Sequence, residues 1–230
     1  MSHDLIDTTQ MYLRTILELE EEGEIPLRAR ISERLDHKGP TVSQTVARME
    51  RDGLLVVRGD RHLELTDRGR ILAVEVMRKH RLAERLLADI IKLDWELVHD
   101  EACRWEHVMS DAVERKIIEM IDRPDLSPYG NPIPGLASLG MPVNPEFLAG
   151  VVSIASLREQ ELVESYRLTR IGEPFQADAE QLKLLKECNL LPGAQVKLEF
   201  LGDSVKVSAV DGSPAAEVPL GMALHLYVTN

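Results

Sequence analysis

Between Leu27 and Leu65 the chain carries a pattern that few folds accommodate. Two short stretches with helical spacing of apolar residues are broken at His37-Lys38-Gly39-Pro40. A proline in the first turn of the second helix is tolerated, because the N–H it lacks would be unpaired there anyway. Leu54-Leu55-Val56-Val57, then Arg58-Gly59-Asp60-Arg61, then His62-Leu63-Glu64-Leu65 reads as a hairpin around a Gly-containing turn. Helix, turn, helix and hairpin together predict a winged helix-turn-helix. In the second helix Val42, Val46 and Met49 share a face that packs inward, while Thr41, Ser43, Gln44 and Arg48 fall elsewhere and can face a major groove. Gln pairs with adenine edges, and Thr and Ser serve base or phosphate. Arg28, Arg30, Arg51 and Arg61 suit phosphate contacts, which position without specifying. The candidate DNA-contacting set is Arg28, Lys38, Pro40, Thr41, Ser43, Gln44, Arg48 and Arg51. A solvated helix of an ordinary α domain is the competing reading.

The formal net charge of -12 argues against nucleic acid when taken as a whole. By region the picture differs. From Asp4 to Leu27 the single base is Arg14, set against Asp4, Asp7, Glu18, Glu20, Glu21, Glu22 and Glu24. From Arg28 to Arg70 ten bases face seven acids, so the basic surplus is local, as DNA contact requires. No apolar run reaches the roughly 18 residues needed to cross a membrane. The start, MSHDLIDTTQ, is polar and acidic with no signal-peptide core, which predicts a cytoplasmic protein with no membrane partner. Cys103 and Cys188 are far apart and form no disulfide framework.

At 230 residues the chain has room for two or three domains. Residues 4–22 show apolar residues at Met11, Leu13, Ile16, Leu17 and Leu19, a helix ending at Glu20-Glu21-Glu22-Gly23. Residues 67–122 read as helical apart from a break near Leu93-Asp94. Half of the twelve prolines lie in 123–150, which reads as a structured, non-helical connector. From 151 the chain alternates apolar and polar residues, as in Gln195–Phe200 and Ser204–Ser208, with turns at Gly202-Asp203 and Asp211-Gly212 and one short helix over Glu180 to Cys188. That is a small β domain, read as a barrel. It could bind a Pro-rich segment, and the chain's own 124–134 stretch is a candidate. The apolar residues Leu86, Leu87, Ile90 and Ile91 are either a dimer seam or internal core.

The central helices gather metal-binding chemistry. His80 and Glu84 are four residues apart, as are His99 and Cys103, while Glu106 and His107 follow Cys103 by three and four. Such spacings put side chains on one helix face. Imidazole, carboxylate and thiolate together suit a first-row transition metal rather than Mg or Ca. The bland alternative is a buried free Cys beside surface His–Glu pairs. A hydrolytic metal enzyme is a further reading, but no HExxH, G-x-S-x-G or phosphate loop supports it.

The stretches DTTQMYLRTILELEEEG, ERLDHKGPTVSQTVARMERDGL, MRKHRLAERLLADII and HDEACRWEHVMSDAVERK closely resemble the iron-dependent diphtheria toxin repressor family of actinobacteria, over roughly residues 3–140. The resemblance implies a mainly α fold with β: a winged helix-turn-helix over 1–74, a helical dimerisation and metal-binding domain over 75–141, a linker over 142–150 and an SH3-like β-barrel over 151–230. It implies two Fe(II) ions per subunit, with Co(II), Ni(II), Mn(II) or Zn(II) as substitutes in vitro. The primary site would use Met11, Cys103, Glu106 and His107, and the ancillary site His80, Glu84 and His99 completed by Glu173 and Gln176. An anion near the ancillary site would touch Arg81, Ser127 and Asn131. The function implied is repression, not catalysis: a homodimer, or two dimers, on a palindromic operator of double-stranded DNA in front of iron-uptake or siderophore genes. The manganese-responsive branch of the family carries a carboxylate in place of Cys103 and lacks the third domain, so both features point to iron over a manganese- or zinc-responsive repressor. Metal would fix the N-terminal helix, through Met11, against the central helices and move the segment around Leu5 to Thr9 away from DNA.

Overall fold

The computed structural model describes residues 7–230; Asp4, Leu5 and Ile6, where the N-terminal helix and the proposed obstructing segment were expected to begin, lie outside the described residues. The chain divides into two compact units: Met1–Ala83 with Cys103–Met120 and Ile133–Asn144, and Glu84–Ala102 with Ile121–Pro132 and Pro145–Asn230.

The first unit begins with α1 (Thr8–Glu21), whose start is fixed by the Asp7 carboxylate accepting from the Thr9 and Gln10 amides. Helices α2 (Arg28–Leu35) and α3 (Gly39–Arg51) follow, with Pro40 in the first turn of α3. Strands β1 (Leu55–Val57) and β2 (Leu63–Leu65) pair antiparallel as the wing. Tyr12, Leu13, Ile16, Ile31, Val42, Val46, Met49, Leu55 and Leu63 form one buried cluster across these elements. The winged helix-turn-helix expected from the periodicity is therefore present, with the inward face of α3 as read. Helix α4 (Asp67–Arg85) carries Arg78, whose guanidinium is bonded to buried Glu114 of α6 (Asp111–Met120) and reaches Ser138 Oγ at 3.2 Å. Helix α5 (Val98–Trp105) ends in the loop that bears Glu106 and His107.

The second unit opens with a widened helical turn over Leu86–Ile91, closed by Lys92 in the left-handed region (φ 61°). The break expected near Leu93-Asp94 is found there, over residues 92–94. The widened turn splits the apolar seam: Leu87 is buried, whereas Ile90 and Ile91 are 45% and 50% exposed. Strands β3 (Val152–Ser153), β4 (Tyr166–Ile171), β5 (Gln195–Leu201), β6 (Ser204–Ala209), β7 (Ala215–Pro219) and β8 (Leu226–Thr229) form one antiparallel sheet in the order β3-β8-β4-β5-β6-β7, consistent with an SH3-like domain. Helices α7 (Glu173–Gln176) and α8 (Ala179–Glu187) lie between β4 and β5, and α9 (Leu220–Ala223) between β7 and β8. Among the described residues no helix is long and apolar enough to cross a membrane.

The proline-rich stretch is held against β4, as the sequence suggested for residues 124–134. The Ile171 amide donates to the Tyr129 carbonyl (3.0 Å), and the Asn131 side-chain amide donates to the Ile171 carbonyl (2.9 Å). Tyr129 stacks on Trp95 at 5.0 Å and donates its hydroxyl to the Trp95 carbonyl. Gly130 makes this approach possible: its φ is +81°, and a Cβ there would stand 2.0 Å from the Thr169 carbonyl oxygen. Gly130→Ala should therefore destabilise the second unit by roughly 1–3 kcal/mol through overpacking. Urea unfolding followed through Trp95 fluorescence checks this; an unchanged midpoint would contradict it.

Candidate functional site

Helices α1 and α4 and the α5 end bring a guanidinium, an imidazole, a thiol and a carboxylate together inside the first unit. Glu106 is buried, and its Oε2 lies 2.6 Å from His80 Nδ1 and 2.8 Å from Arg14 Nη1. Arg14 Nη1 also lies 3.3 Å from Cys103 Sγ and 2.9 Å from His80 Nδ1. A ring nitrogen cannot donate to the carboxylate and accept from the guanidinium at once. A hydrogen on His80 Nδ1 would therefore serve Glu106 and leave Arg14 bonded to Glu106 and Cys103. Burial alone would lower the Arg14 pKa, but the negative charges of Cys103, Glu106 and Glu18 more than offset it and hold the pKa well above its ordinary value, so the guanidinium stays charged. Met11, on the preceding turn, is half-buried beside the helix-turn-helix core.

His107 shows the chemistry most directly. Its Nδ1 lies 2.8 Å from the Gln10 side-chain oxygen, which can only accept, so the hydrogen sits on Nδ1 and Nε2 carries the lone pair. That Nε2 faces Glu106 Oε1 across 3.3 Å, and both atoms are buried with no hydrogen-bond partner. Two lone pairs pointed at each other are satisfied by a proton or a metal ion between them. Burial lowers the His107 pKa, with Glu106 opposing and Arg14 assisting, so the neutral, ligating form is favoured. A ligating imidazole ordinarily donates its second nitrogen to an oxygen, and Gln10 supplies that oxygen here. Carboxylate, imidazole, thiolate and a thioether one helix away fit a first-row divalent ion.

The remaining sequence candidates divide between the units. His80 faces Glu106 in the first unit, and Arg81, also there, is bonded to Glu21 at 3.1 Å. In the second unit Glu84 Oε1 and His99 Nδ1, both buried, are 3.4 Å apart. Helix α7 presents Glu173 and Gln176 one turn apart, with Pro174 in its first turn, where a missing N–H costs nothing. Asn131 Nδ2 lies 3.4 Å from Glu173 Oε1, and Gln176 Nε2 donates to Ile171 O at 2.6 Å. Ser127 accepts from the Tyr129 amide through its hydroxyl.

On α3, Pro40, Thr41, Ser43, Gln44, Arg48 and Arg51 are exposed, as is Lys38 before it; Arg28 is half-buried at the start of α2. Arg30 is committed elsewhere, bonded to the Ile25 carbonyl and paired with Glu24. Arg61 is exposed at the wing tip with φ 69°. Tyr12 ties this surface to α1: its hydroxyl shares a hydrogen bond with His37 Nδ1 (3.0 Å), just before α3. Burial raises the Tyr12 pKa, against the opposing influence of Thr45 and Arg48 on α3. Residue-by-residue reading missed Arg14, Gln10 and Tyr12. The signal for Arg14 was present, since it is the lone base of an acidic stretch, three residues after Met11.

Comparisons with known proteins show the family of the chain. Residues 4–63 match the iron dependent repressor N-terminal DNA binding domain, and residues 66–135 the iron dependent repressor metal binding and dimerisation domain. The chain is 52% identical over 223 residues to the iron-dependent repressor IdeR of Mycobacterium tuberculosis, covering 96% of each. The solved structure of T. acidophilum IdeR superposes with a TM-score of 0.76 at 30% identity, covering 97% of this chain and 98% of that one. That of the manganese regulator SloR gives 0.75 at 26% identity, covering 96% and 98%. This last match corrects one expectation: a manganese regulator also extends over the third domain, so that domain does not set iron regulators apart. The chain belongs to the iron-dependent repressor family, that of the diphtheria toxin repressor, and is a metal-dependent, DNA-binding and dimerising transcriptional repressor rather than an enzyme.

Proposed function

We propose that this repressor responds to Fe(II) and binds palindromic operators of iron-uptake and siderophore genes in the cytoplasm. The observation that carries the reading is the facing pair Glu106 Oε1 and His107 Nε2, two buried atoms 3.3 Å apart with no hydrogen-bond partner. Met11, Cys103, Glu106 and His107 would hold the activating ion, with the Cys103 carbonyl also within the same turn. The ion supplies positive charge that lets these donors share one buried space. Thioether and thiolate favour iron and the later metals over manganese, which supports iron. Co(II), Ni(II), Mn(II) and Zn(II) would act as substitutes in vitro. The similarity to SloR favours a manganese-responsive repressor as the second reading.

A second ion per subunit is assigned to His80, Glu84 and His99, with Glu173 and Gln176 as further donors. The close approach of Glu84 to His99 supports this. Arg81, Ser127 and Asn131 remain the candidates for an anion. Exposed Thr41, Ser43, Gln44 and Arg48 would read base edges, while Arg28, Lys38, Pro40 and Arg51 set the register on the backbone. Symmetric half-sites then engage a homodimer, or two dimers, on each operator.

The link between sensing and binding runs through α1. Met11 holds the donors at one end of a turn whose next residue, Tyr12, contacts the approach to α3. Fixing α1 favours the DNA-competent arrangement by as much as the ion prefers it. Anaerobic operator-binding assays with Fe(II) present or chelated test the activity: binding is expected only with metal, and metal-independent binding would refute it. Met11→Ala should raise the Fe(II) concentration for half-maximal operator binding by roughly tenfold or more, since even outer-shell partners are worth 10–100-fold. An unaltered curve would break the proposed coupling. Gln44→Ala should cost about 1–3 kcal/mol of discrimination at one operator position, whereas Arg51→Ala should weaken binding evenly across sequences. Affinity measured against single-base operator variants separates the two outcomes.

A further inference from the structure

One guanidinium nitrogen, Arg14 Nη1, donates to two acceptors, Glu106 Oε2 at 2.8 Å and Cys103 Sγ at 3.3 Å, and lies 2.9 Å from His80 Nδ1, whose hydrogen serves Glu106. Both acceptors belong to residues assigned above to the activating ion. A first-row ion sits roughly 2.0–2.3 Å from such donors. An ion on Cys103 and Glu106 would therefore stand against a like charge already in bonding contact with both. In a buried site that repulsion is screened far less than in water. The Arg14 side chain is 9% exposed, and its guanidinium meets Glu106 and Glu18.

Arg14 also has somewhere to go. Its Nε lies 3.0 Å from Glu18 Oε1, one turn along α1 and away from the donors. Glu18 is itself shared with Arg34 of α2, 3.8 Å distant, and Arg34 is bonded to Glu22. The guanidinium can lean onto Glu18 without being left as an uncompensated buried charge, which would be strongly destabilising.

We propose that Arg14 is a resident cation of the sensor. It neutralises Cys103 and Glu106 until a divalent ion displaces it toward Glu18, and so sets the metal concentration at which the repressor is activated. This rests on the assignment of Cys103 and Glu106 to the activating site. Arg14 is a positioning and threshold residue, not a metal ligand, and its removal is expected to tighten metal binding while weakening the metal-free fold.

The test uses the full-length protein, reduced and anaerobic, titrated with Co(II) and followed by the cobalt–thiolate charge-transfer absorption, without DNA. Wild type should develop the band and Cys103→Ser should lose it. A missing wild-type band, or one that survives Cys103→Ser, overturns the site assignment itself. Given the band, Arg14→Met should bind Co(II) at least about tenfold more tightly, the change produced by 1.4 kcal/mol. Its melting temperature in chelator should fall below that of wild type. Equal or weaker Co(II) affinity in Arg14→Met overturns the proposal while leaving the site assignment standing. Should Arg14→Met fail to fold, Glu18→Gln decides. Removing the alternative anchor should hold Arg14 on the donors and weaken Co(II) binding severalfold, and an unchanged or tighter affinity there overturns the proposal as well.

Discussion

A single turn of α1, Met11 to Arg14, has to satisfy two kinds of surroundings. Tyr12 and Leu13 are buried in the helix-turn-helix core, and the Tyr12 hydroxyl bonds His37 ahead of α3. Arg14, two residues on, is bonded to Glu106 and Cys103. Successive residues on an α-helix are rotated by about 100°, so one turn can present both faces without distortion. Rigid coupling follows from this geometry. Any change in charge at Cys103 or Glu106 acts on the element that also seats the DNA-reading helix. The buried ion pairs contribute little net stability, since desolvation offsets much of their attraction. Their effect is positional: each partner is costly to leave alone, so α1 is held in one register against α5.

Much of this architecture could be read from period and punctuation. The inward face Val42, Val46, Met49 and the strands around Gly202 depend on local patterns of apolar residues and turns, and both are found where those patterns place them. Helix geometry was less legible where local hydrogen bonding departs from the regular ladder. The widened turn at Leu86–Ile91 has no composition signal, and it rotates Ile90 and Ile91 away from the face that Leu87 keeps. Spacing grouped His80 with Glu84 correctly as neighbours on a helix. It could not say that the ring of His80 would face Glu106, because that contact joins residues distant in sequence. The role of Arg14 was hidden for the same reason. A lone base among acids is read as surface charge until its partners, some 90 positions away, are known.

In the second unit, backbone groups do what side-chain patterns cannot advertise. The proline-rich stretch docks on β4 through the Tyr129 carbonyl and the Asn131 amide, both meeting Ile171. The next residues after Ile171 are Gly172 and then α7, which carries Glu173 and Gln176. Gln176 and Asn131 converge on the same Ile171 carbonyl, so α7 and the connector are positioned by one shared acceptor. Glu173 thereby gains a fixed neighbour in Asn131. The candidate ligands of the third domain are thus set by a strand end and a proline-rich segment together, and Gly130 is the residue small enough to let them meet.

Metal choice then turns on donors and competition rather than on domain content, since a manganese regulator shares the whole fold. A site with a thiolate follows the general order in which Mn(II) binds most weakly and the later metals more strongly. A resident guanidinium subtracts a similar amount from every divalent ion, because the repulsion depends on charge and distance. That leaves the order unchanged but moves the whole series down. The weakest binder is the first to fall below the concentration at which it can displace Arg14. On the proposed assignment, softness at Cys103 and Met11 would rank the ions, and Arg14 would decide how far down the ranking activation reaches. A Cys103→Asp exchange would compress the ranking, whereas an Arg14 exchange would shift the threshold of all ions together, so the two contributions are separable in the same titration.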